Sequence, residues 1–303
     1  MSDRSLPALS LIAVPAKAKK MIAVAQEAER RGYAGVYVPS MADAFGFCEA
    51  LALSTERMRM GTSIVNIYTR HPRDWAQSVA LVHELAGGRF DFGVGVSHDS
   101  INAYLGVSTG KPLADMRRFV EDLRKGAGRA ELAPVVLAGL RDPMVKLAGE
   151  IAEGCVFANA SRSYLPHSKS VLPADKRDST DFFFGNMIPT CVSDDVAAAA
   201  ARNRKTMEFY LTLPNYREYW KKAGYVEEME AAEAAVAAGD KEKITACMTD
   251  KWLADCTMFG TASQVREQLE AWVDAGLRDP IIVPSSAVGN QAKAVEEIFE
   301  TFG

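Results

Sequence analysis

The sequence predicts an α/β protein, a parallel (β/α)8 TIM barrel with a helical insertion before its last strand. Three observations carry this expectation. Short β-rich apolar runs alternate with longer stretches of helical periodicity along the chain, the pattern of strands joined by helical crossovers. The alternation occurs eight times, and a barrel of eight such units takes about 250 residues. No low-complexity linker interrupts the 303 residues, so a single domain, 1–303, is expected. A doubly wound open sheet is the alternative.

The elements follow in order. Leu9–Val14 is apolar and ends at Pro15; Ala18–Arg31 then spaces Met21, Ile22, Ala25 and Ala28 as a helix that closes at Gly32. Gly35–Pro39 is the second strand, and Asp43 suits the N-cap of the helix through Ala50, Leu51 and Leu53. Met60–Val65 is the third strand, and Pro72–Ala86 the helix after it, with Pro72 in its first turn. Phe90–Val96 precedes a loop and a helix over Leu113–Leu123. The second half repeats the rhythm with strands at Val135–Ala138, Cys155–Ala158, Phe182–Met187 and Ile281–Val283. Its helices are Met144–Ala152, a short one near Tyr164–Val171, a long Ala-rich one capped by Asp194 or Asp195, and Ala292–Phe302. The insertion, about 209–257, is rich in Ala, Glu and Lys and carries Tyr210, Tyr216, Tyr219, Trp220 and Trp252.

Composition narrows the classes of function. The formal charge is −4 and 48% of residues are hydrophobic. Nucleic acid is not expected as a partner, because that needs a clustered basic excess. No stretch reaches the roughly 20 apolar residues of a membrane helix, and Met1–Leu6, with Asp3 and Arg4, lacks a signal-peptide core. The five cysteines form no C-x-x-C pair, which disfavours a disulfide framework and a zinc site and fits a reducing cytoplasm.

Phosphate-loop strings fail on inspection. Gly93-Val94-Gly95-Val96-Ser97-His98 begins like the dinucleotide fingerprint, but His98 stands where its third glycine must pack. Gly106–Lys111 is one residue short of a Walker loop, and Pro112 replaces the magnesium-binding hydroxyl. The four histidines form no H-E-x-x-H, and no G-x-S-x-G elbow occurs.

In a barrel, function collects at the C-terminal ends of strands. Those ends read Pro39-Ser40; Ser63-Ile64-Val65-Asn66; Ser97-His98-Asp99; Gly139-Leu140-Arg141; Asn159-Ala160-Ser161-Arg162; Asn186–Cys191; and Ser285-Ser286. The set is polar without a carboxylate cluster. Such a mouth suits an organic cofactor that carries the chemistry while the protein orients it. Arg141, Asn159 and Ser161 follow strands five and six, where phosphates often meet backbone N–H groups.

Six ordered stretches resemble the luciferase-like monooxygenase superfamily of flavin and deazaflavin oxidoreductases. They are Ala25–Ser40 (A-x-E-A-E-R-R-G-Y-A-G-V-Y-V-P-S), Glu49–Ile64, Tyr68–Pro72 (Y-T-R-H-P), Glu84–His98 (E-L-A-G-G-R-F-D-F-G-V-G-V-S-H), Leu147–Gly154 and Gly260–Gly276. The resemblance implies a (β/α)8 fold, a cofactor ring at the barrel mouth, and a homodimer. The cofactor is coenzyme F420, a deazaflavin, or alternatively FMN. In the deazaflavin branch the third strand carries a bulge with a non-proline cis peptide behind the ring, and Ser63-Ile64 occupies that place. Arg141 departs from the glycine many relatives carry there. His98 replaces an acidic residue, and Pro39-Ser40 an Asp-His pair, of the sugar-phosphate dehydrogenase branch, which argues against glucose 6-phosphate.

The expected site therefore comprises His98, Ser40 and Asn66 as catalytic candidates. Ser40, Ser63, Ile64, Val65, Asn66, Ser97, His98, Leu140, Arg141, Asn159, Ala160 and Ser161 are the cofactor contacts; no metal is expected. His98 has an ordinary pKa near 6.5 suited to moving a proton beside the reacting carbon, or else it only bonds the ring. Ser40 and Asn66 bond the ring edge or substrate, or cap loops. Asp43 and His71 read as structural, His83 as a mid-helix residue and His167 as solvent-facing. The aromatic run from Phe209 to Trp220 reads as packing or as a substrate wall. The leading activity is hydride transfer between coenzyme F420 and an organic small molecule. The alternatives are an FMN-dependent monooxygenase fed by a separate reductase, and an inactive flavin-binding protein.

Overall fold

The computed structural model describes residues 6–14 and 16–303; Asp3, Arg4 and Pro15 lie outside them. The chain packs as two compact units, Met1–Phe157 with Ser170–Gly185, and Ala158–Lys169 with Asn186–Gly303. Strands and helices alternate in the order of the α/β barrel class, a (β/α)8 TIM barrel.

In the first unit, β1 (Ala8–Ser10), β2 (Gly35–Val38), β3 (Arg59–Asn66), β4 (Phe90–Gly95), β5 (Val135–Ala138) and β6 (Gly154–Ala158) pair in parallel, each with the next. Every residue of β2 and β4 is buried, on both faces, as expected of parallel strands covered by helices. The helix Ala18–Arg31 turns Met21, Ala25 and Ala28 inward and ends at Gly32, whose φ of 85° makes the left-handed stop. The helix Pro72–Leu85 buries Trp75, Ala76, Val79 and Val82. Trp75 joins Phe45, Phe90 and Phe92 in a ring cluster with centroids 5.1–6.4 Å apart.

Strand β7 (Phe183–Val192) begins in the first unit and runs into the second, where β8 (Met258–Gly260) and β9 (Asp279–Ser285) also lie. Two of these strands differ from the sequence expectation. β7 does not stop near Met187 but continues through Pro189. Its early residues meet β6, Phe183 N–H bonding Glu153 O and Asn159 N–H bonding Met187 O, and its late residues Thr190–Val192 pair with β8. Pro189 stands where the ladder changes partner, so its missing donor is tolerated. β8 is a ninth strand, three residues long, too short to leave a periodic signature.

The stretch 209–257 is helical, with helices at Pro214–Lys222, Val226–Ala238, Lys241–Ala246 and Asp250–Cys256. Most of its aromatic residues are core, though Phe209 is exposed and Tyr210 half-buried: Trp220, Trp252 and Tyr219 are fully buried, and the two indoles meet edge-on at 4.9 Å. Asp195, of the two candidates, caps Val196–Leu211 by accepting the Ala198 N–H. Among the described residues no helix is long and apolar enough to cross a membrane, and no three His, Cys, Asp or Glu side chains gather as a metal set.

Candidate active site at the strand ends

The most irregular strand end in the first unit belongs to β3. Thr62 pairs with Phe92, but the next pair is Val65 with Val94, so β3 spends three residues where β4 spends two. That is a β-bulge, with Ser63 and Ile64 opposed to Gly93 alone. The Thr62 hydroxyl donates to Gly93 O at 2.8 Å and pins its lower edge. Ser63 and Val65 are buried, whereas Ile64 between them is half-exposed. The Ser63 hydroxyl is buried and meets no hydrogen-bond partner among the described residues, an arrangement that costs about 1–3 kcal/mol unless something outside the protein bonds it.

The expected cis bond between Ser63 and Ile64 is corrected: no cis peptide occurs among the described residues. The extra residue in β3 accommodates the irregularity with trans peptides, which avoids the roughly 3–4 kcal/mol of a non-proline cis bond.

Asn66 ends β3, and its side chain is committed. Its Oδ1 accepts the Tyr68 N–H at 3.0 Å, and its Nδ2 donates to Asn102 Oδ1 at 2.7 Å. Asn102 in turn donates to Val96 O at 2.9 Å. Asn102 lies in a helix, Asp99–Leu105, that reads as loop in the sequence because seven residues are too few for a periodic pattern. The pair clamps the end of β3 to the segment that carries His98.

After β4 the chain turns at Ser97, whose φ is 57°. His98 follows in extended conformation at the start of Asp99–Leu105 and is half-buried. Burial pushes its pKa below the usual 6.5, partly opposed by the neighbouring Asp99 carboxylate, so the imidazole is neutral at neutral pH. Four non-glycine residues adopt left-handed φ among the described residues: Ala16, Ala42, Ser97 and Asn159. Each sits in the connection that follows a strand: β1, β2, β4 and β6. Such conformations cost of order 1–3 kcal/mol each and cluster where function over-determines the backbone.

Ser40 is exposed after β2. Asp43 beside it caps the helix Ala44–Ser54 by accepting the Gly46 N–H at 2.9 Å, and His71 Nδ1 accepts the Arg73 N–H at the head of Pro72–Leu85. Both act as caps. After β5, Leu140 is half-buried and Arg141 exposed, one residue before the helix Asp142–Ile151. Neither backbone N–H of Leu140 and Arg141 bonds a protein acceptor among the described residues.

In the second unit, the segment after β6 is buried and internally satisfied. Ala160 N–H donates to Asn186 Oδ1 at 3.2 Å, Ser161 N–H to the Tyr219 hydroxyl at 3.1 Å, and Trp220 Nε1 donates to Asn159 O at 3.2 Å. The expectation that Asn159, Ala160 and Ser161 offer backbone donors to a phosphate is not met by this geometry. Every one of those N–H groups already has a protein acceptor. Their partners come from strand β7 and the helix Pro214–Lys222, tens of residues away, so no local pattern reveals them. His167 is exposed and stacks on Tyr164 with ring centroids 4.5 Å apart.

The sequence that builds this α/β frame matches the family model of the luciferase-like monooxygenases over residues 7–279. The chain belongs to that family. The luciferase-like family consists of F420- or FMN-dependent oxidoreductases, and this member is one of them. It is 23% identical to 5,10-methylenetetrahydromethanopterin reductase of Methanolobus tindarius over 309 residues, covering 92% of this chain and 94% of that one. In fold it is similar to the coenzyme F420-dependent tetrahydromethanopterin reductase of Methanopyrus kandleri, with TM-score 0.76, 17% identity, and coverage of 99% and 100%. It is also similar to a type II Baeyer-Villiger monooxygenase of Pseudomonas putida in complex with FMN, with TM-score 0.65, 15% identity, and coverage of 98% and 95%.

In the first unit of this luciferase-like protein the bulge combines a buried Ser63 hydroxyl that meets no partner among the described residues with a half-exposed apolar side chain, Ile64. These are the two kinds of group, a hydrogen-bonding one and an apolar one, that a flavin-type ring requires of its site.

Proposed function

We propose that this chain transfers hydride between coenzyme F420 and an organic small-molecule substrate. The observation that carries the reading is the β3 bulge, with its unpartnered Ser63 hydroxyl. It is supported by the left-handed turn at Ser97 that delivers His98 after β4. When bound, the deazaflavin supplies a carbon that accepts or gives up hydride. The protein supplies orientation and proton transfer. Ser63 and Ile64 form the support for the ring, with Val65 buried behind it. Asn66 is a positioning residue through Asn102, holding the bulge and the His98 segment in register. The neutral His98 imidazole accepts a proton from substrate during dehydrogenation and returns it during reduction. Ser40 lines the substrate side. Arg141, with the unpaired N–H groups of Leu140 and Arg141, meets the anionic part of the cofactor. A homodimer belongs to the same reading.

The experiment is a fluorescence titration of the purified protein with coenzyme F420 and, separately, with FMN. Saturable binding of F420, followed by reduction or oxidation of the bound deazaflavin on addition of substrate, is the expected result. Tight FMN binding with no response to the deazaflavin replaces this reading with the FMN-dependent monooxygenase that works with a separate reductase. The likeness to an FMN-bound structure supports that alternative.

A further inference from the structure

The string Gly93-Val94-Gly95 fails as a dinucleotide fingerprint, and neither glycine adopts positive φ. Conformational freedom therefore does not explain them, and space does. A Cβ on Gly93 would overlap the Thr62 carbonyl oxygen and stand 2.7 Å from Ser63 O and 2.8 Å from Ser63 C. These are backbone atoms of the bulge and cannot swing aside. A Cβ on Gly95 would overlap Ile64 Cδ1 and lie 2.8 Å from Ile64 Cγ1 and 3.1 Å from Ala138 Cβ. These are side-chain atoms. Gly61, opposite Asp91 on the regular part of the ladder, is crowded too, with a Cβ 2.6 Å from Asp91 O, but at Gly93 and Gly95 the nearest crowding atoms are those of the bulge.

We propose that Gly93 and Gly95 are positioning residues that make the β3 bulge a platform for the cofactor ring. Gly93 admits the backbone of the extra residue, and Gly95 leaves the hollow in which the Ile64 side chain is seated. The two glycines thus do separate work. One permits the bulge to exist; the other fixes where its single half-exposed side chain stands. The inference rests on the cofactor reading above and deepens it, because it assigns a role to residues on β4 that need not touch the cofactor themselves.

Gly93→Ala strikes backbone and is expected to compromise folding, so the discriminating variant is Gly95→Ala. The measurements are the Kd for coenzyme F420 by fluorescence titration and the thermal midpoint of the cofactor-free protein. They are made for the wild type, Gly95→Ala, Ile64→Ala and the double variant. Overpacking by one methyl group is expected to weaken F420 binding in Gly95→Ala by about tenfold, with the cofactor-free protein still folding cooperatively. Ile64→Ala removes both atoms that a Cβ at position 95 would strike. The double variant is therefore expected to bind no more weakly than the weaker of the two single variants, in place of the product of their effects. Wild-type affinity in Gly95→Ala, or effects that multiply independently, overturns this inference and leaves the cofactor reading standing. A wild type that binds neither F420 nor FMN overturns both.

Discussion

The two ends of the strands in the first unit are built on opposite principles. At the N-terminal ends, charged side chains are tied down by several partners each. Asp91 is buried at the start of β4 and accepts from the Tyr37 hydroxyl and from Arg59, both at 2.6 Å. Arg89 donates to Thr55 Oγ1 and to the carbonyls of Ala52, Thr55 and Met58. Burial pushes the Glu29 carboxyl up, but the backbone N–H groups of Arg57, Met58 and Glu56 more than offset this and hold it below its ordinary range. At the C-terminal ends the Ser63 hydroxyl lacks a partner, and Ala42 and Ser97 hold left-handed φ. In barrels the N-terminal face carries stability and the C-terminal face carries chemistry. Here the division is one of kind: multiply bonded charges, Asp91, Arg89 and Glu29, at one end, and left-handed turns with an unused hydroxyl on the bulge at the other.

The comparison breaks most visibly at Asp91. Asp91→Ala leaves the Tyr37 hydroxyl buried without its acceptor and opens space among strand residues. A loss of about 3 kcal/mol in unfolding free energy is expected, measured by denaturant titration, with F420 affinity of the folded fraction unchanged. A loss of cofactor affinity without a loss of stability would show that the N-terminal end belongs to the site.

His98 sharpens the other side. His98→Ala is expected to lower turnover by about 100-fold, with Kd for the cofactor changed only a few-fold and the thermal midpoint held. The sign of the pH effect follows from the lowered pKa. The unfolded chain takes up a proton as pH falls through about 6.5, whereas the folded one resists until lower pH. Stability linked to His98 is therefore complete above pH 6.5 and is lost as pH falls through the folded value. The acid limb of turnover should likewise lie below pH 6.5 in the wild type and be absent in His98→Ala. Unchanged turnover in the variant would make His98 a bystander.

These contrasts also explain what could be read before the structure. The strands at Gly35, Phe90 and Val135 announce themselves as buried apolar runs, and Asp43 and Pro72 as helix starts, because those signals are local. Asn102, on a short helix, is invisible, because its partner Asn66 lies 36 residues earlier at the end of β3. Tyr219 and Trp220 read as packing aromatics; nothing near them shows that they bond Ser161 and Asn159 some 60 residues away. Gly93 and Gly95 are the sharpest case. The string is legible, but its meaning depends on the bulge across the ladder, and a spacing rule for phosphate loops could only reject it. The site was legible as a set of strand ends and not as a network of partners.

The smallest effect tests the strain itself, using one chemical change at two positions. Ala42 is exposed with φ of 60°, in the loop after β2. Ala50 lies eight residues on, inside the helix Ala44–Ser54. Glycine costs folding entropy at both. At Ala50 nothing offsets that cost, and Ala50→Gly should lose about 1 kcal/mol. At Ala42 the substitution also removes the clash of Cβ in the left-handed region, worth roughly 1–2 kcal/mol. Ala42→Gly should therefore gain about 0.5 kcal/mol, raising the thermal midpoint while Ala50→Gly lowers it. Opposite signs would establish that the C-terminal ends hold backbone strain that the rest of the fold sustains. Equal losses would mean that Ala42 relaxes in solution, and the contrast between the two ends would then rest on the unpartnered Ser63 hydroxyl.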